Sequence, residues 1–162
     1  MRIGEVAIIS HTLTEPETFI RSICGKIEVQ NPTTCFGRFD VDDQLGLHLY
    51  GVRIDPESKS FFWDIASRKM LGYIFIFNWD DRTMLESIKP LVDHFAQQFE
   101  MPIVVVANIA DRSVPPIPEK FFQPNGIALA ANARFTFGQI SAPADAKKVL
   151  VLLINMLLER LD

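Results

Sequence analysis

The chain has 162 residues, a net charge of −4 and 48% apolar residues, 13 of them phenylalanine. That length suits one α/β domain spanning 1–162, and so apolar a composition argues against disorder. The acidic balance, with no strongly basic stretch, argues against nucleic acid as the main partner.

In chain order, Gly4 to Ile9 reads as a buried strand and Thr14 to Cys24 as a short helix. Gly37 to Val41 and Leu45 to Gly51 both alternate around the turn residues Asp42-Asp43-Gln44, which predicts an antiparallel hairpin. Pro56 to Met70 has a helical pattern, with Phe61, Phe62, Ile65 and Met70 roughly on one face. The continuous apolar run Gly72 to Phe77 suits a central parallel strand buried on both faces. Arg82 to Phe99 is a long amphipathic helix, and Pro102 to Ala107 a second buried strand. A Pro-rich loop follows at Ser113 to Pro118, then a final strand at Gly126 to Ala131 and a closing helix from Pro143 to Leu161 headed by Ser141 and Asp145. Strands alternating with helices predict a mainly parallel sheet covered on both faces, to which the hairpin adds an antiparallel edge strand.

Cys24 and Cys35 stand alone, without metal-ligand spacing, and read as reduced thiols in or near the core. No targeting segment is visible, and the longest apolar runs fall well short of a membrane span. A cytoplasmic protein with no membrane span is the expectation.

Five landmarks line up along the chain. They are Thr18 to Ile23, the hairpin Phe36 to Asp43, Leu49-Tyr50-Gly51, the stretch Phe62 to Gly72, and Val104 to Asp111. This pattern resembles the bacterial and archaeal Ras-like small GTPases over nearly the whole chain. The resemblance implies a three-layer α/β/α P-loop NTPase fold with a mainly parallel six-stranded sheet and one antiparallel edge strand. It also implies four clusters that hold GTP and Mg²⁺.

Each cluster departs from the family pattern. A phosphate-binding loop reads G-x-x-x-x-G-K-[ST]. Here Ser10 and Glu15 stand in the glycine places, Pro16 in the lysine place and Glu17 in the hydroxyl place. The magnesium threonine of switch I has no clean counterpart among Asn31, Pro32, Thr33 and Thr34. Switch II reads Val52-Arg53-Ile54-Asp55, without the glycine and glutamine of the family. The base-recognition motif Asn-Lys-x-Asp becomes Asn108-Ile109-Ala110-Asp111, and the Ser-Ala-Lys-like position reads Asn132-Ala133-Arg134.

A phosphate loop works because successive backbone N–H groups turn toward one anion at a helix N-terminus. Pro16 has no N–H, and Glu15 and Glu17 bring two carboxylates to that end. Thr14-Glu15-Pro16-Glu17 also reads as a self-sufficient helix start, with Thr14 as cap and Glu17 closing a reciprocal box.

Other candidates read as structural. His11, His48 and His94 fall on separate elements, and Asp40, Asp42 and Asp43 form a polar turn. Asp80 and Asp81 follow a strand, where a receiver-type phosphoacceptor would sit, but no companion lysine or acidic pair completes that set. Asn108 and Asp111 are read as loop-bracing remnants or as a surviving base-recognition pair. Phe61, Phe62, Trp63 and Tyr73 read as core, Phe121 and Phe122 as partner-facing.

The expectation is a pseudo-GTPase without catalytic residues, metal or cofactor, acting as a protein-interaction module. By resemblance its partner is a longin- or roadblock-type regulator or a like subunit in a homodimer. The alternative is a divergent GTP-binding switch that takes GTP or GDP with Mg²⁺. Any residual nucleotide site would involve Thr14, Thr18, Asn108, Asp111 and Asn132.

Overall fold

A computed structural model describes residues 1–53, 70–98, 100–109 and 132–161. Its elements are β1 (Arg2–Ser10), α1 (Thr14–Cys24), β2 (Val29–Gln30), β3 (Thr34–Asp40), β4 (Leu45–Arg53), β5 (Gly72–Asn78), α2 (Arg82–Gln98), β6 (Ile103–Asn108), β7 (Ala133–Gly138) and α3 (Pro143–Leu161). One sheet runs in the order β2-β3-β4-β1-β5-β6-β7. The strands β4, β1, β5, β6 and β7 are parallel, whereas β3 is antiparallel to both β4 and β2.

The apolar runs explain this order. Six of the seven residues of β5, and five of the six of β6, are buried. Strands covered on both faces cannot alternate, which is why they read as continuous apolar segments. On one face Phe19, Ile20 and Ile23 of α1 and Val149, Leu150 and Leu153 of α3 pack on Val6, Ile8, Leu49, Ile74 and Val104. On the other, Ile88, Val92 and Phe95 of α2 pack on Ala7, Phe75 and Val105. The Phe95 ring meets Tyr73 edge-on at 4.9 Å and Phe75 at 5.5 Å. Each such side chain, once buried, contributes about 1.5–3 kcal/mol from apolar area alone.

Two glycines set the path of α1. Gly25 ends the helix at φ 82°, a left-handed conformation that side chains resist, and its N–H donates to the Arg21 carbonyl at 2.9 Å. Gly51 in β4 lets the first turn of α1 approach the sheet. A Cβ there would lie 2.4 Å from Cys35 Sγ and 2.8 Å from Pro16 Cβ.

The hairpin forms between β3 and β4, and Asp42 Oδ1 accepts from the backbone N–H groups of Gln44 and Leu45 at 2.7 and 2.8 Å. Among the described residues the sheet has seven strands, and two of them, β2 and β7, were not expected. Of these, β2 holds two exposed residues and carries no apolar pattern. It also takes the edge, so the antiparallel β3 lies one strand inside. The last strand is β7 at Ala133–Gly138. The expected strand at 126–131 lies outside the described residues, as do the Pro-rich loop, Asp111, Ile54, Asp55, Phe121, Phe122 and the Pro56–Met70 helix apart from Met70. No described helix is long and apolar enough to cross a membrane.

Candidate functional site

Parallel pairing gathers polar residues at the carboxyl edge of the sheet. Asn78, Asn108 and Gly138 stand in register at the ends of β5, β6 and β7, and Ser10 ends β1 beside Ile76. The helices α1 and α3 begin at this same edge.

Glu15, in the first turn of α1, is only 7% exposed, and its carboxylate points away from solvent. Its Oε2 accepts a short hydrogen bond from the Thr12 hydroxyl, and Ser10 Oγ stands 3.3 Å away. Its Oε1 accepts from Asn78 Nδ2 at 3.0 Å. From there the chain of bonds continues inward. Asn108 Nδ2 donates to Asn78 Oδ1 at 2.9 Å, and the Ile140 N–H donates to Asn108 Oδ1 at 3.1 Å. The Ser10 hydroxyl donates to the Ile76 carbonyl at 2.8 Å, and Ser22 ties the Ile140 carbonyl to α1 at 2.6 Å. One network thus fastens β1, α1, β5, β6 and the β7–α3 loop. Glu15 forms no ion pair among the described residues.

Beside this network lies a cavity of about 190 Å³. Thr14, Glu15 and Thr18 of α1 line one side, Asn78 and Asn108 the floor, and Gln139 and Ser141 the other side. Among the described residues its only ionisable group is the Glu15 carboxylate, and no lysine, arginine or histidine of these lines it. An anion placed within about 4 Å of that carboxylate would meet a repulsion on the order of 1 kcal/mol in water, and about 4 at an intermediate dielectric.

The expected site residues divide accordingly. Thr14, Thr18 and Asn108 line the cavity together. Asn132 does not. It precedes β7 at the opposite edge of the sheet, where its Nδ2 donates to the Met101 carbonyl at 3.1 Å. The late loop that does reach the cavity is Gln139-Ile140-Ser141, because β7 carries the chain across the sheet between the two positions. Asn78, Gln139 and Ser141 were not expected in the site. The signal for Asn78 was a polar residue closing the apolar run Gly72–Phe77.

The start of α1 also differs from expectation. Thr14 is already helical and does not cap; the cap position is Leu13, which offers no side-chain hydrogen bond. The Thr18 hydroxyl donates back to the Thr14 carbonyl at 2.8 Å. Glu17 closes no reciprocal box, and among the described residues its Oε1 is buried without a partner, as is Nε of Arg53, the register neighbour of Ser10. Beneath this turn, burial above all, and then the Glu17 charge, push the Cys35 thiol up to about 12, against opposing effects of the Gly51 backbone hydrogen bond and Arg21.

Elsewhere, Asn31 Oδ1 accepts from the Thr33 hydroxyl and from the N–H groups of Thr33 and Thr34, which makes this segment a closed turn. Asp81 accepts from the Thr83 N–H at 3.1 Å at the start of α2, an ordinary helix cap. His11 and His94 are exposed and His48 packs on Phe36, and no metal-binding group forms among the described residues. No protein-family model matches the chain, and no curated protein matches it.

Proposed function

We propose that this chain is a pseudo-GTPase: a Ras-like domain that holds no nucleoside triphosphate and serves as a regulatory or scaffolding protein-interaction module. The observation that carries the reading is the buried Glu15 carboxylate, bonded to Thr12 and Asn78 at the start of α1. A triphosphate would need positive charge and converging N–H groups in that region. Pro16 supplies no N–H, and no described cation lines the adjacent cavity. The parallel sheet with helices on both faces, and the ligand-sized space at its carboxyl edge, support the Ras-like part of the reading. By the resemblance, the partner is a longin- or roadblock-type regulator or a like subunit. Isothermal titration with GTP, GDP and ATP, each with Mg²⁺, tests the proposal. The expected result is no saturable binding, and a dissociation constant at or below about 10 μM would overturn it.

A second reading has one observation in its favour. The cavity beside Asn108 is open, and Thr18, Gln139 and Ser141 offer hydroxyl and amide groups around it. A divergent nucleotide switch would seat a base there, with Asn108 as one recognition group. A nucleotide released on denaturing the purified protein, detected by mass spectrometry, would favour this reading over the first.

A further inference from the structure

The closing helix is apolar on more sides than its own fold uses. From Val149 to Leu158 the sequence carries one polar residue, Asn155. The inward face of α3 buries Ala146, Val149, Leu150, Leu153 and Met156. The outward face nevertheless presents Val151 at 53% and Leu158 at 54% exposure, with Ile154 partly buried between them. Steps of three and four residues make this a seam of the kind along which helices pair. Lys148 flanks one end and Glu159 the other, and neither has an ion-pair partner among the described residues.

We infer that α3 docks against α3 of a second copy of this chain, antiparallel, about a two-fold axis beside Ile154 and Asn155. Three features select a second copy as the occupant. The two-fold sets Val151 of each copy against Leu158 of the other, so the apolar seam is self-complementary. With a rise of 1.5 Å per residue, Lys148 lies ~10 Å to one side of the midpoint and Glu159 ~7 Å to the other. Both lie on the same flank of the helix, so reversing the partner brings Lys148 opposite Glu159 twice, whereas in a parallel pair the two-fold would carry these flanks to opposite sides and leave both charges unpaired. Finally, Asn155 falls next to the axis and meets its own copy. A side-chain amide both donates and accepts, and a lone asparagine in an apolar seam is a device that fixes register.

This surface lies on the outer face of α3, and its test is independent of nucleotide titration. Sedimentation equilibrium from ~1 to ~300 μM in low salt should show a reversible dimer with a dissociation constant in the micromolar range, as suits a small interface. Leu158→Glu, at an exposed position, should yield a monomer with an unchanged thermal melt. Lys148→Glu and Glu159→Lys should each weaken the dimer about 10-fold. An equimolar mixture of these two variants should form a heterodimer at least as tight as the parent dimer, because each lysine again faces a glutamate. A monomer throughout the range, a dimer indifferent to Leu158→Glu, or a mixture no tighter than the separate variants would each overturn the inference. Capture of a different protein by α3 without self-association would do the same.

Discussion

Three of the described helices begin near the carboxyl edge of one sheet, each with an acidic residue close by, and they use it differently. At α2, Asp81 accepts from the backbone of Thr83; near the start of α3, Asp145 accepts from the Gln139 N–H at 2.9 Å. Both are side chain–backbone bonds of the ordinary kind. At α1, Glu15 does no such work. Its carboxylate turns inward to Thr12 and Asn78, and the first bond of the helix ladder runs from the Glu17 N–H to the Leu13 carbonyl at 3.0 Å. The difference teaches that an acid near a helix start can be either a cap or a hub. What decides is whether hydroxyl and amide donors from neighbouring strands reach it first. Here Asn78 of β5 does, together with Thr12 from the β1–α1 loop.

The largest expected effect separates hub from cap. Glu15→Ala removes the two hydrogen bonds that Thr12 and Asn78 make to a buried carboxylate, at a cost of about 3 kcal/mol in urea unfolding. Asp145→Ala, which loses one bond to the Gln139 backbone ahead of the helix, should cost about 1 kcal/mol. Equal losses would erase the contrast. Next, Gly51→Ala presses a methyl against Cys35 and the rigid Pro16 ring at the base of α1, and should cost about 2 kcal/mol by overpacking. A neutral result would mean that the α1 start is not held against β4 as tightly as the contact implies.

A third test uses pH. The Cys35 thiol titrates near 12 in the folded protein against 9.0 for an unperturbed thiol. Its contribution is therefore complete below pH 9 and declines as pH rises toward 12, by about 1.4 kcal/mol at pH 10. Cys24, raised to about 11, adds to the same alkaline decline. Replacing Cys35 with alanine should flatten the stability–pH profile between pH 9 and 10, and an unchanged slope would count against a buried thiol under α1. The smallest contrast is between two asparagines at opposite ends of the sheet. Asn108→Ala breaks two links of the network and should cost about 1–2 kcal/mol, while Asn132→Ala, whose bond to the Met101 carbonyl is exposed and outside the network, should cost under about 0.5.

Much of the frame was legible in the sequence because it follows from periodicity. The bounds of α1 and α3 follow from three- and four-residue apolar spacing, and β5 and β6 from runs too short for helices. The strand β2 was not legible, since two exposed residues leave no pattern. The alternation of Arg134, Phe135, Thr136 and Phe137 did signal β7, and placing Asn132 in the site overlooked it. The site itself was legible only in part. Two acids and a proline at the start of α1 were visible as a chemical departure from a phosphate loop. That Glu15 would turn inward was not, because side-chain direction depends on Asn78, which lies 63 residues away and reaches it only through strand register.

The central claim is that the polar cluster around Glu15 stands where a triphosphate would otherwise be held. It is tested most directly by following the backbone amide resonances of Thr14, Glu15 and Asn108 while Mg²⁺–GTP is titrated to about 1 mM. The account predicts that these resonances do not move. Saturable shifts at micromolar nucleotide, centred on Thr14 and Glu15, would contradict it.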